Sequence, residues 1–127
     1  MPTGRRVPSG GKLGRNTLNA YAAGLLDGEG CIRWNRTPSI EVTNKHYGVL
    51  VQMQDRWGGS VRLKDGDIFV WTLCGAKALS YLSCVARYSI IKYPQIAALF
   101  AAAASKCKSE RQRHINSLRK LKHVYTD

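Results

Sequence analysis

The sequence predicts an α+β domain in which four antiparallel strands form one sheet with helices packed on one face. Apolar residues recur at helical spacing in five segments, and two pairs of short alternating segments, each pair joined by turn-forming residues, separate the first three. The chain has 127 residues, 44% of them hydrophobic, enough to build a core without disulfide or metal staples. The longest apolar run, 96–104, stops at Ser105-Lys106, short of the ~20 residues a membrane span needs.

Residues 1–15 carry Arg5, Arg6, Lys12 and Arg15 among Gly and Pro, with no apolar stretch of a secretory signal, and read as a flexible basic arm ahead of a single domain over 16–127. Asn16 or Thr17 is the expected cap of a first helix whose apolar stripe is Leu18, Tyr21, Ala22, Leu25 and Leu26, stopped by Asp27-Gly28-Glu29-Gly30. Alternation over 31–36 predicts a strand with Ile32 and Trp34 inward and Arg33 and Asn35 outward. Thr37-Pro38 is the predicted turn, and 40–43 returns as a strand with Ile40 and Val42 inward and Glu41 and Thr43 outward. Leu50, Met53 and Trp57 mark a helix over 46–56 that Gly58-Gly59 ends. Strands over 60–64 and 68–73 flank the tight turn Asp65-Gly66-Asp67. Helices follow over 75–86, with Leu79, Leu82 and Val85, and over 94–104, with Pro94 in the first turn. A basic helix from Ser109, with Ile115, Leu118 and Leu121, closes the chain.

Twenty Lys and Arg against eight Asp and Glu leave a formal charge of +12, a field that attracts polyanions and makes nucleic acid the expected partner. The uncovered sheet face is expected to present Arg33, Asn35, Thr43, Arg62 and Lys64, side chains able to read base edges in a major groove. Arg36, Lys45, the arm and the C-terminal Lys/Arg cluster are expected to meet phosphates. Cys31, Cys74, Cys84 and Cys107 are widely spaced, as are His46, His114 and His123, so no zinc site is predicted and a reducing, intracellular compartment is expected.

The segment Ala22-Ala23-Gly24-Leu25-Leu26-Asp27-Gly28-Glu29-Gly30 combines small residues, which admit a second helix, with two carboxylates at a helix C-terminus, where they oppose the macrodipole. A divalent cation would resolve that conflict: Mg2+, or another such ion, held by Glu29 and the Gly28 carbonyl against a DNA phosphate. Taken alone, the same residues also suit an ordinary helix-to-strand turn with exposed acids.

These nine residues resemble the signature of the LAGLIDADG homing endonucleases. Val42-Thr43-Asn44-Lys45 resembles the end of that family's second strand, Trp57-Gly58-Gly59 its helix-to-hairpin step, and Tyr88 through Lys92 to Gln95 its "Y-L-x-x-K-x-x-Q" segment; the likeness spans about residues 17–105. The resemblance implies an αββαββα saddle on double-stranded DNA. One motif per chain implies a homodimer on a pseudo-palindromic site, with Ala23, Gly24 and Gly28 at the helix contact. It further implies Glu29 as the metal-binding acid, Lys92 as support for the water or the transition-state charge, Asn44 as a solvent-positioning residue and Asp27 as a brace for the turn. The implied reaction is metal-dependent phosphodiester hydrolysis leaving 3′ overhangs. Arg87 stands where the family usually has Pro, and Ser89 where it has Leu, so the placement of the Lys92 amine is open. The alternative on the same fold is a non-catalytic intron RNA maturase or DNA-binding regulator.

Overall fold

The computed structural model describes residues 14–124; residues 1–13 of the expected basic arm over 1–15 lie outside them, and Arg15, assigned to that arm, is the first residue of a helix. The elements run α1 (Arg15–Glu29), β1 (Gly30–Trp34), β2 (Pro38–Asn44), α2 (Tyr47–Trp57), β3 (Ser60–Asp65), β4 (Ile68–Cys74), α3 (Gly75–Val85), a 3-10 turn (Ala86–Tyr88), α4 (Tyr93–Ala104) and α5 (Lys108–Val124). The four strands form one antiparallel sheet in the order β1-β2-β4-β3, so the second strand of each hairpin lies at the centre.

Register follows from which side chains must leave water. Ile32, Ile40 and Leu73 stand abreast on one face, as do Gly30, Val42, Trp71 and Val61, and the large members of both rows are buried beneath the helices. The opposite face carries the rows Arg33, Ser39, Cys74; Cys31, Glu41, Thr72, Ser60; and Thr43, Val70, Arg62.

Three aromatic rings anchor the core. Tyr81 stands edge-on to both Trp57 and Trp71, with ring centroids 4.9 and 5.0 Å apart. Its hydroxyl donates to the Ala22 carbonyl at 3.2 Å, which ties α3 to the middle of α1. The Trp71 indole donates to the Gly58 carbonyl at 2.8 Å, in the step out of α2. Gly59 there has φ +85°, and a Cβ on it would lie 2.3 Å from the Thr72 carbonyl oxygen. Only glycine fits that crossing.

Several element ends differ from the sequence expectation. Gly14 is the N-cap of α1 and offers no side-chain bond, while Asn16 and Thr17 lie inside the helix and are exposed. Tyr21, expected in the apolar stripe, is 47% exposed. β1 ends at Trp34: the Asn35 amide donates to the Thr37 carbonyl at 2.9 Å and Arg36 adopts φ +67°, so the turn comes one residue pair earlier than expected. Asn35 and Arg36 therefore belong to the turn, and β2 begins at Pro38.

Candidate nucleic-acid interface

The sheet's outer face and the C-terminal end of α1 meet at Gly30. Its amide closes the helix on the Leu26 carbonyl, and a Cβ on it would lie 2.6 Å from the Leu26 side chain, so the chain passes from helix to strand with no intervening loop. Glu29, the last helical residue, is exposed, and among the described residues it makes no hydrogen bond or ion pair. It lines a hollow of about 320 Å³ with Thr43, Asn44, Lys45 and Ile68. A second hollow runs from Glu29 and Asn44 along Gly28, Leu25, Gly24 and Tyr21. The structure thus brings together Gly28 and Glu29 of α1 with Thr43 and Asn44 of β2 and Lys45 just beyond it. The Asn44 side-chain oxygen is already engaged, accepting the His46 amide at 2.8 Å, and His46 Nδ1 in turn accepts from the Val49 amide. Asn44 therefore builds the entry to α2 with its oxygen and keeps its amide NH2 for the hollow.

Two residues before Glu29, and about 200° around the helix from it, Asp27 faces a different partner. Its carboxylate accepts four hydrogen bonds from one loop: the Ser89 hydroxyl at 2.6 Å and the amides of Ile90, Ile91 and Lys92 at 2.8 to 3.1 Å. Burial acts to raise the Asp27 pKa, but these four donors outweigh it and hold the carboxyl below its ordinary range. Asp27, expected to brace the turn at the end of α1, instead braces the 89–92 loop and sets the backbone from which Lys92 opens α4. Ser89, the departure from the family pattern, supplies the shortest of the four bonds. Arg87, the other departure, lays its guanidinium over the Tyr88 ring at 5.4 Å. Lys92 lines neither hollow around Glu29, so the two residues are linked through α1 and Asp27.

On the outer face Arg33 is exposed and paired with Glu41 at 2.7 Å, and Lys45 approaches Asp67 at 3.8 Å. Arg62 stands opposite Val70, in the row that also contains Thr43. Lys64 lies in a bulge between Leu63 and Asp65, where strict alternation no longer assigns it to a face. Asn35 and Arg36 leave this face altogether and line a cleft against α5 with Lys108, Arg111 and Arg119. The signal for those three cations was their spacing, 108, 111 and 119, which forms one stripe of a helix with Ile115.

On α1, Ala23, expected at a helix contact between copies, is instead fully buried in the chain's own core and faces away from the exposed stripe, whereas Gly24 and Gly28 have open space where a Cβ would stand. Among the described residues no three His, Cys, Asp or Glu side chains gather into a metal site. Glu29 nonetheless fits a shared cation: its carboxylate is uncommitted, and the Gly28 carbonyl is among the last of α1, which lack intrahelical donors.

No protein-family model matches the chain. Over 53 residues it is 46% identical to the intron-encoded RNA maturase bI4 of Saccharomyces cerevisiae, a stretch covering 39% of this chain and 8% of that relative's length. The fold superimposes on the homing endonuclease I-CvuI in complex with its target with a TM-score of 0.71, at 18% identity, covering 84% of this chain and 83% of the other. The archaeal intron-encoded homing endonuclease I-Vdi141I, complexed with DNA, gives a TM-score of 0.67 at 18% identity, covering 85% and 86%. The LAGLIDADG homing endonuclease I-SmaMI, bound to cleaved DNA, gives 0.61 at 17% identity, with this chain spanning 48% of its length. A sheet of this order, one Ala22 to Gly30 segment ending α1, and these superpositions together give the chain the single-motif LAGLIDADG homing-endonuclease fold.

Proposed function

We propose that the protein is a member of the LAGLIDADG family and acts as a homodimeric, site-specific DNA endonuclease that hydrolyses one phosphodiester on each strand and leaves 3′ overhangs. The observation that carries this reading is Glu29: an exposed, uncommitted carboxylate at the base of a basic sheet face, bordered by the open glycines of α1. A net charge of +12 draws duplex DNA onto that face, and two copies meeting along Gly24 and Gly28 would bring one Glu29 to each strand. Glu29 and the Gly28 carbonyl are the groups that would hold Mg2+ or another divalent ion. Such an ion, when bound, polarises a phosphoryl oxygen and lowers the pKa of water. Lys92 offsets negative charge developing on the phosphate, from a backbone that Asp27 sets. Arg33, Arg62 and Lys64 contribute base and backbone contacts, and Thr43 and Lys45 flank the reacting end.

The test is selection of cleavable sites from a randomised duplex library with Mg2+, using an EDTA control and Glu29→Gln. Wild-type protein should cut a pseudo-palindromic site with 3′ overhangs, while Glu29→Gln binds that site without cutting. Cutting by Glu29→Gln at the wild-type rate removes Glu29 from the reaction.

The local 46% identity to a maturase supports a second reading, an intron RNA-binding protein on the same fold. Tight binding to a self-splicing intron RNA, with no selected DNA site, would favour it.

A further inference from the structure

We infer that the loop over 89–92 carries a hydrophobic knob, Ile90 and Ile91, that docks on a second copy of this chain, at the start of the partner's α2 against Tyr47. The inference rests on the proposed homodimer and deepens it: it adds a contact outside the glycine stripe and fixes which flanks of the two subunits meet.

Among the described residues six large apolar side chains are exposed, Tyr21, Tyr47, Leu63, Ile90, Ile91 and Tyr93, and Ile90 leads them at 84%. Single exposed apolar residues are ordinary on a monomer, whereas a cluster marks a contact. Five of the six border the outward side of α1. Tyr21 stands on it, in the hollow that runs along Gly24 and Gly28. Ile90 and Ile91 lie on the loop that Asp27 grips, and Tyr93 follows at the start of α4. Tyr47 begins α2 three residues after Asn44, which shares a hollow with Glu29, and its ring packs on Phe69 with centroids 5.0 Å apart. Leu63 lies farther out in the row Asn44, Phe69, Leu63. The loop cannot fold its apolar side chains away, because the amides of Ile90 and Ile91 are fixed on Asp27 Oδ2 at 2.8 and 3.1 Å. A projection already held rigid loses little freedom when it docks.

The motif helix sets the geometry. At about 100° per residue, Asp27 lies about 60° around α1 from Gly24 on one side of the glycine stripe, and Glu29 about 100° from Gly28 on the other. Ile90 and Ile91 therefore occupy one flank of the stripe and Tyr47 the opposite flank. Both sheets must face one duplex, so both copies of α1 point their C-termini at it and the two-fold axis runs along the helix pair. Rotation about such an axis brings unlike flanks together: the Asp27 flank of one copy meets the Glu29 flank of the other. A contact of this symmetry needs complementary surfaces on the same chain, and a knob on one flank facing a tyrosine on the other supplies it twice. Two subunits carrying +12 each repel, so a stable pair needs buried apolar surface to offset the charge, and these side chains are uncharged.

The experiment follows the monomer–dimer equilibrium by sedimentation velocity in EDTA for wild type, Ile90→Arg and Tyr47→Glu, each alone, and for the two variants mixed. Each variant alone sets a charge against the partner's apolar surface and should raise the dimer dissociation constant at least about 10-fold. In the mixture one knob contact regains its wild-type pair and the other gains an ion pair, so the heterodimer should form within about threefold of the wild-type constant. Ile90→Glu mixed with Tyr47→Glu brings like charges together and should not recover. Matching far-ultraviolet spectra confirm folding, and Ile90→Ser, which adds no charge and keeps the backbone bonds to Asp27, should weaken the dimer in the same direction. A mixture that dimerises no better than its components, or an Ile90→Ser as tightly paired as wild type, overturns the inference and leaves the homodimer standing. Wild type that stays monomeric at every concentration overturns the homodimer and the docking with it. Recovery on mixing, in a protein that never cuts a selected DNA site, overturns the nuclease reading alone.

Discussion

The Lys92 amide donates to Asp27 Oδ1 at 3.1 Å, so the backbone of the lysine expected to act on the phosphate is held by a carboxylate of the motif helix. The same carboxylate takes three further donors from residues 89–91, and the loop cannot move without breaking several bonds together. Asp27→Asn keeps the shape and removes the charge. Allowing for solvent screening at this partly exposed site, the substitution should cost about 1–2 kcal/mol.

The pH dependence of that loss has a definite sign. Because the folded carboxyl titrates below its ordinary value of 3.8, its contribution is complete above that value and disappears as pH falls through the folded pKa. Melting curves of wild type and Asp27→Asn should differ clearly at about pH 6 and converge toward about pH 2. A difference that widens on acidification would refute the brace.

Two glycine substitutions should act in opposite directions. Gly59→Ala puts a methyl 2.3 Å from a carbonyl oxygen at positive φ, and should cost about 2–4 kcal/mol in chemical denaturation. Gly24→Ala meets open space and favours the helix, so the separated subunit should gain up to about 1 kcal/mol. If two copies pair along that stripe, the same methyl should weaken the dimer, visible as a shift toward monomer in sedimentation velocity.

Arg33 must exchange Glu41 for a base or a phosphate before it can contact DNA. A surface pair of this kind is worth at most about 1 kcal/mol, so the exchange is cheap. Glu41→Gln frees the guanidinium and removes a negative charge from the face. Binding to random-sequence duplex should tighten by roughly 3- to 10-fold at low salt, and equal affinity in a titration would show that Arg33 does not reach the DNA.

Tyr81→Phe removes a second donor to the Ala22 carbonyl, which as an interior carbonyl of α1 keeps its helical bond to the Leu26 amide. A cost of about 0.5–1.5 kcal/mol is expected in urea titration. Burial, reinforced by the Asp27 charge, pushes the Tyr81 hydroxyl far up, so this bond should persist through mildly alkaline pH.

Local patterns in the chain carried most of the architecture. Alternation placed Ile32, Ile40 and Val42 inward, and the helical spacing of Leu50, Met53 and Trp57 matched a buried face, because both signals arise from one element's own geometry. The strand order did not follow from any such signal, since pairing of β2 with β4 joins residues far apart in sequence. Asn35 was misplaced because alternation continues past Trp34 on paper, whereas the chain turns there through the strained Arg36. Small residues in α1 pointed to close approach, but only packing separates Ala23, which its own core consumes, from Gly24 and Gly28, which it leaves open. The four donors around Asp27 were not foreseeable: the sequence points to a brace for the adjoining turn, whereas the loop that supplies them lies over sixty residues away.

The strand order leaves β3 at the rim of the sheet, with a row of backbone groups available to any passing strand. Arg62, Lys64 and Asp65 are all exposed along it, and the irregularity at Lys64 bends it out of regular pairing. Charge and kink together make this rim a poor template for strand addition. Self-association, and aggregation with it, is thereby discouraged on the far side of the molecule.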